Sequence, residues 1–307
     1  MTPKDLVAHN VNLVSLPEVC MEVQMLADAP ESTAADLGAL ISKDTALSTR
    51  LLRLVNSAYF GFPRKIDTLP RAVNLIGMRE LRNLTLVVSA AEVFADIDSQ
   101  LIDMLTFWQH SVYCGLIARR LAEHTQVLHS ERLFTAGLLH DVGRLLMLMK
   151  LPDEMSIVVS RHQGTERDIR EFELEQIGFD HAEAGRALLE HWNLPPNLCA
   201  SVRYHHEPEI ADDAYLEAAV LYLADLVTHT AQESWHSQNP ALYDPYRALL
   251  NSGLNPETIA AAALGKAGAG AGRLTGIDGD VVGIAIRQTA AEFDQVLDLL
   301  YPCMAQK

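Results

Sequence analysis

The 307-residue sequence predicts an all-α fold in two helical halves, divided near residue 100. Apolar residues recur at spacings of three and four along nearly every segment, alanine and leucine are plentiful, and the alternating β-branched runs of half-buried strands are scarce. An apolar fraction of 49% is enough for a sizeable core. No repeat of solenoid period and no low-complexity tail breaks the pattern. The organisation reads as residues 1–100, 101–235 and a helical extension over 236–307.

Ser15 as cap and Pro17 in the first turn mark a helix over residues 15–28. Ser32 caps the next, which runs through Ile41, and Asp44 caps the one from Thr45 to Asn56, where Leu47, Leu51, Leu52 and Val55 share a side. Gly61 and Pro63 close that unit. The helical pattern resumes over Leu69–Leu84 and Thr85–Phe94. From Phe107 onward histidines fall on apolar stripes: Phe107, His110, Cys114, Ile117 and Leu121 share one helical face. A single following helix carries Phe134, Leu138, Val142, Leu145 and Met149 as its buried stripe, with His140 and Asp141 on its flank.

Asp180 and Glu183 form a capping-box start for a helix through Trp192 with His181 in its first turn. Pro195 and Pro196 stop that helix and open another, which places Leu198, Val202 and His205 on one face and ends at His206-Glu207-Pro208. Ala218–Val227 is apolar except for Asp225. Residues 231–250, with Pro240 and Pro245, read as a polar surface excursion. Asn255-Pro256-Glu257 then starts a helix leading into the glycine-alanine run Gly265–Gly272, read as a linker, and a last helix from Val281 to Tyr301 packs back on the domain. The glycine run lacks both a preceding strand and a following Gly-Lys-Ser/Thr, so it is not read as a phosphate loop.

Composition narrows the function classes. A formal net charge of −16 repels a phosphate backbone and argues against direct nucleic-acid binding. Cys20, Cys114, Cys199 and Cys303 are far apart, without the spacing of a disulfide framework or structural zinc site, which points to a reducing, cytoplasmic setting. The start of the chain reads as neither signal peptide nor anchor, and no apolar run is long enough to span a membrane.

The chemistry concentrates in His110, His140, Asp141, His181, His205, His206 and Asp225, each at the apolar face or end of a predicted helix. Imidazole and carboxylate suit Fe, Mn or Zn, and a bundle core is where separate helices can aim them at one point. The adjacent His140-Asp141 pair would let a carboxylate bridge two ions. Gly137 and Gly143 flank that pair at a cost of about 1 kcal/mol each in helix propensity, the sign of a tightly packed site. Taken singly, each histidine also fits a core imidazole bonded to a carbonyl or a helix C-terminal cap. Arg144 reads as a surface ion-pair residue, and His9, His124, His129, His162, His191, His229 and His236 receive no role.

These segments carry a resemblance. Asp44 through Gly61, Ile66, and Ala72 through Gly77 look like the first half of the HDOD domain, an HD-related output domain of bacterial signalling proteins. Trp108-Gln109-His110-Ser111, Gly137 through Gly143, Gly178 through His181 with Gly185, Trp192 through Pro195, and His205 through Pro208 continue the likeness over roughly residues 12–230. The resemblance implies an all-helical, bacterial, cytoplasmic regulatory protein whose second half is an HD-like helical bundle related to metal-dependent phosphohydrolases. In the metal pattern of HD phosphodiesterases, His110, His140, Asp141, His181, one or both of His205 and His206, and Asp225 would be the ligands. Arg144 stands where those enzymes carry lysine, the Gly-Tyr-Pro segment after His-His-Glu is missing, and Thr45 replaces a common proline.

Three readings remain open: a stand-alone regulatory protein with one or two divalent ions, acting on a signalling protein or a small phosphorylated ligand; a phosphohydrolase or phosphodiesterase acting on a nucleotide or cyclic nucleotide; and a metal-free helical scaffold. Neither the oligomeric state nor the metal is legible.

Overall fold

The computed structural model describes residues 1–8, 14–94, 97, 101–127, 130–161, 166–238 and 255–301, and among these no strand occurs. The helices are α1 (Pro3–Ala8), α2 (Glu18–Asp28), α3 (Ala34–Ile41), α4 (Thr45–Val55), α5 (Leu69–Ile76), α6 (Met78–Val93), α7 (Met104–Ala122), α8 (Ser130–Leu139), α9 (Val142–Lys150), α10 (Pro152–Arg161), α11 (Glu166–Gln176), α12 (His181–His191), α13 (Pro196–Arg203), α14 (Tyr215–Gln238), α15 (Pro256–Thr275) and α16 (Gly279–Leu300). Two short 3-10 turns, Pro208–Ile210 and Asp212–Ala214, lead into α14.

Helix α7 is the axis of the molecule. Nearly all of it is buried, from Phe107 to Ala122, and it packs on α8, α14 and α16. Each large apolar side chain shut away there contributes about 1.5–3 kcal/mol. Gly115 of α7 faces Gly137 of α8 so closely that a Cβ at Gly137 would lie 2.5 Å from the Gly115 Cα. A second backbone approach joins α9 to α12: a Cβ at Gly143 would collide with the His181 carbonyl and lie 2.5 Å from the Gly185 amide nitrogen. These two seams set the positions of His110, His140, Asp141 and His181.

The Asn56–Gly61 segment ties the first helices to α7. Asn56 uses its amide to hold the Leu52 and Ile66 carbonyls and accepts from the Ile66 N–H, each at 2.7 Å. Arg119 of α7 lies 3.9 Å over the Tyr59 ring and donates to the Tyr59 carbonyl. From the other side, Trp192 donates its indole N–H to the Val14 carbonyl at 2.7 Å. The last helix packs back on the domain, as the sequence predicts, and it does so on α7, with Tyr301 just beyond its end stacked on Trp108 and Glu292 paired to Arg120.

Several expectations are corrected. Helix α2 starts at Glu18, with Pro17 and not Ser15 at the N-cap position. Thr33, not Ser32, caps α3 through a reciprocal box with Asp36, while the Ser32 hydroxyl donates back to the Ala29 carbonyl. The break between α5 and α6 falls at Gly77, whose φ of 88° only glycine adopts readily, and not at residue 84. The expected single helix through Phe134 and Met149 is two, α8 and α9, interrupted at His140 and Asp141. Helix α14 continues through Gln238, into the expected surface excursion. The remainder of that excursion lies outside the described residues, as do His9, His129, His162 and Cys303. The glycine-alanine run is not a linker but part of α15, where alanine's high helix propensity outweighs the glycines.

Two predictions follow from this packing. Gly143→Ala forces α9 from α12 and costs about 3 kcal/mol in denaturant unfolding; a variant within about 0.5 kcal/mol of wild type contradicts the seam. Glu80 is buried with its Oε2 unbonded, and burial, reinforced by Glu131, pushes its carboxyl up to about 7. The folded protein therefore holds a proton that the unfolded chain releases near pH 4.5, so stability falls as pH rises through that window to about 7 and stays lowered above it. Glu80→Gln removes that decline and stabilises the protein at pH 8 by on the order of 1–3 kcal/mol; an unchanged difference between unfolding at pH 5 and pH 8 contradicts it.

Candidate metal centre

Two helices end in the same local device. At the end of α8, His140 Nδ1–H donates to the Gly137 carbonyl at 2.7 Å; beyond α13, His205 Nδ1–H donates to the Val202 carbonyl at 2.6 Å. Each imidazole thereby satisfies a carbonyl that the terminating helix would leave open. In the first case it takes the acceptor that the Asp141 amide would need for the helix to continue, which accounts for the break. Because a carbonyl only accepts, Nδ1 carries a proton in both rings, and Nε2 is the nitrogen turned to the interior.

His181, the first residue of α12, is fixed by a carboxylate instead. Glu173 of α11, fully buried, receives both the His181 backbone N–H at 2.9 Å and its Nδ1–H at 2.7 Å. The Asp180–Glu183 capping box predicted from sequence sets the helix start, and Arg170 clamps Asp180 at 2.7 Å. On α7, His110 turns Nδ1 towards the side-chain oxygen of Gln232 at 3.3 Å. Anchoring one ring nitrogen to orient the other is the outer-shell arrangement typical of metal-ligating histidine.

The freed nitrogens converge. His110 Nε2 lies 3.3 Å from His140 Nε2 and 3.1 Å from Asp225 Oδ1, and His140 Nε2 is 3.5 Å from that same oxygen. His181 Nε2 lies 2.8 Å from His206 Nε2, and the His205 and His206 rings are 3.9 Å apart. Asp141 sits between the two groups, with Oδ1 3.3 Å from His181 Nε2 and Oδ2 3.5 Å from His140 Nε2. Potential ligand atoms of His110, His140 and Asp225, of His181, His205 and His206, and of His140, Asp141 and His205 fall within 4.8 Å of one another in each set.

The electrostatics call for a cation. Burial, then the neighbouring imidazoles, pushes the His205 ring down to about 3 and His206 well below its usual range, and burial likewise lowers His110. Burial disfavours the charged Asp141 carboxylate, yet Arg144, His140 and His181 hold it well below the ordinary range; His229, His110 and His140 do the same for Asp225. Burial thus keeps His110, His205 and His206 neutral beside two buried carboxylates, whereas for His140 burial is overcome by Asp141, which holds that ring well above its usual range. His205 Nε2, shut off from solvent, has no hydrogen-bond partner at all. An ion accepting lone pairs from these rings would relieve each of these costs, and imidazole with carboxylate is the donor chemistry of Fe, Mn or Zn, so the residues fit the metal.

All seven residues singled out from sequence are brought together here. Four others were missed. Arg144 is no surface residue: its side chain is 13% exposed, and its guanidinium lies 3.4 Å from both Asp141 Oδ2 and His181 Nε2. His229, assigned no role, places Nε2 3.4 Å from Asp225 Oδ1, and its position one helical turn after Asp225 was the available signal. Glu173 and Gln232 carried no signal, because each lies in a polar stretch whose facing is set by packing.

The chain matches the HDOD domain over residues 13–208. It is 35% identical over 208 residues to an uncharacterized protein of Treponema pallidum; the match takes in 66% of this chain and 39% of the relative, so it spans well under half of that relative's length. Among solved structures, a Shewanella amazonensis protein provisionally named a phosphohydrolase superposes with a TM-score of 0.71 at 24% identity, covering 96% of this chain and 97% of the other. An HDOD domain protein of unknown function from Geobacter sulfurreducens follows at 0.64 and 22%, covering 96% and 99%. With the matched region running from the first helices through the His205-His206 pair, the chain belongs to the HDOD domain family.

Proposed function

We propose that this protein is a regulatory HDOD protein built around a divalent metal centre, acting in signal transduction by binding a protein partner or a small phosphorylated ligand. The observation that carries this reading is the set of imidazoles whose Nδ1–H groups are tied to carbonyls or a carboxylate so that their Nε2 atoms converge on buried Asp141 and Asp225. His110, His140 and Asp225 would hold one ion and His181, His205 and His206 a second, with Asp141 between them. The ions would supply Lewis acidity and folding free energy. The side chains of His110, His140, Asp141, His181 and Asp225 are all between 0% and 8% exposed, which favours a closed structural or sensory site around His110, His140 and Asp225, while His206 of the second group is only half-buried.

A second reading, a metal-dependent phosphohydrolase or phosphodiesterase for nucleotides or cyclic nucleotides, is favoured by Asp141, whose two oxygens face the two ligand groups as a bridge would, and by the Arg144 guanidinium beside it. The provisional name of the Shewanella relative points the same way.

Elemental analysis of protein purified anaerobically without an affinity tag is expected to find between one and two equivalents of Fe, Mn or Zn. Stripping with chelator lowers the melting temperature and metal restores it, whereas His140→Ala melts low in both conditions. A wild-type melting curve indifferent to chelator and metal contradicts the reading. The two readings separate on turnover: the regulatory one expects no hydrolysis of linear or cyclic nucleotides by the Mn- or Fe-loaded protein, and a metal-dependent rate that disappears in Asp141→Asn would establish the enzyme.

A further inference from the structure

The two ligand groups are alike in imidazoles and unlike in charge. His110 and His140 share their group with Asp225, whereas His181, His205 and His206 form a group with no carboxylate of its own. The carboxylate beside that second group is Asp141, whose Oδ1 lies 3.3 Å from His181 Nε2. Glu173 bonds the opposite nitrogen of the His181 ring, at 2.7 Å, and acts on the group only across the width of that ring.

Arg144 stands against both Asp141 and His181. One terminal nitrogen of its guanidinium lies 3.4 Å from Asp141 Oδ2 and the other 3.4 Å from His181 Nε2. The fold fixes it there: Arg144 follows Gly143, which packs against the His181 carbonyl, and its own amide donates to the Asp141 carbonyl at 2.9 Å. An ion bound to His181 Nε2 at about 2.1 Å lies no more than about 5.5 Å from the guanidinium nitrogen that approaches the same Nε2. With 13% of the side chain exposed there is little solvent to screen that approach, and a guanidinium keeps its charge at every working pH. It repels a divalent ion at the second group and offsets the Asp141 charge that would attract one. The described partners of Asp225, in contrast, are the imidazoles of His110, His140 and His229, which carry no permanent charge.

We infer that Arg144 makes the two ion positions unequal: the group of His110, His140 and Asp225 binds its ion tightly, and the guanidinium holds the group of His181, His205 and His206 to a much weaker affinity. This rests on the metal-centre reading above and adds to it the order in which the centre fills.

Manganese(II) alone is the probe, added to the chelator-stripped full chain, with equilibrium dialysis to count bound ions and electron paramagnetic resonance to tell an isolated ion from a spin-coupled pair. Wild type is expected to bind one ion tightly, with an isolated-ion spectrum at one equivalent, and a second at least about tenfold more weakly. Arg144→Gln keeps a hydrogen-bond donor for Asp141 but removes the charge, so its second ion should tighten by at least about tenfold and the coupled spectrum should appear at lower manganese. Arg144→Lys keeps the charge and should keep the gap between the two ions. Adding His206→Ala to Arg144→Gln should abolish the second binding event, which locates it. Two equal ions in wild type overturn the inference without recourse to any variant. An unchanged second affinity in folded Arg144→Gln, an Arg144→Lys protein that behaves as Arg144→Gln, or a second ion that survives His206→Ala also overturns it alone. Failure of wild type to bind manganese overturns both it and the metal-centre reading.

Discussion

Two carboxylates, Asp141 and Asp225, are held in the interior of a helical bundle, and much of the second part of the molecule is arranged to make that tolerable. A lone buried carboxylate costs several kcal/mol unless it is paired or coordinated. Here burial keeps His110, His205 and His206 neutral, while Asp141 raises His140 against its burial and Arg144 stands as the permanent cation at Asp141. The ends of α8 and α13 also turn towards the cluster, and the partial negative charge of helix C-termini favours a cation at the same place. Packing, capping and electrostatics all ask for one thing.

Positioning that many polar groups demands rigidity, and glycine supplies it where larger residues would not. The Gly115–Gly137 and Gly143–Gly185 seams bring helix backbones nearer than side chains permit, so His110 and His140, and then Asp141 and His181, meet at hydrogen-bonding distance. The same residues serve structure and chemistry together. His140 and His205 close the ends of their helices through Nδ1 and face the centre through Nε2, so the plain role of a capping histidine and the role of a ligand are two ends of one ring.

The centre also reaches outwards. Glu173, which orients His181, comes from α11, a helix whose main packing partner is α10 and whose Leu174, Glu175 and Gln176 are exposed. Arg170 on the same helix bridges Asp180, just before His181, and Glu207, just after His206. Hydrogen bonds thus run from the buried histidines to a helix with exposed residues.

The all-helical class, the start signals at Asp44 and Asp180, and the seven candidate ligands were legible in the sequence, because periodicity, caps and an ionisable residue in an apolar run are local and physically costly features. The segmentation was not. The break at His140 and Asp141 depends on a side chain outcompeting a backbone amide for one carbonyl, and the persistence of α15 through its glycines on a balance of propensities and packing. Nor could periodicity find Arg144, Glu173, Gln232 and His229, whose facing is decided by neighbours distant in the chain. The sequence by itself determined which side chains are too polar for a core; only the tertiary structure decided that they share one, since convergence is a property of helix packing and not of spacing along the chain.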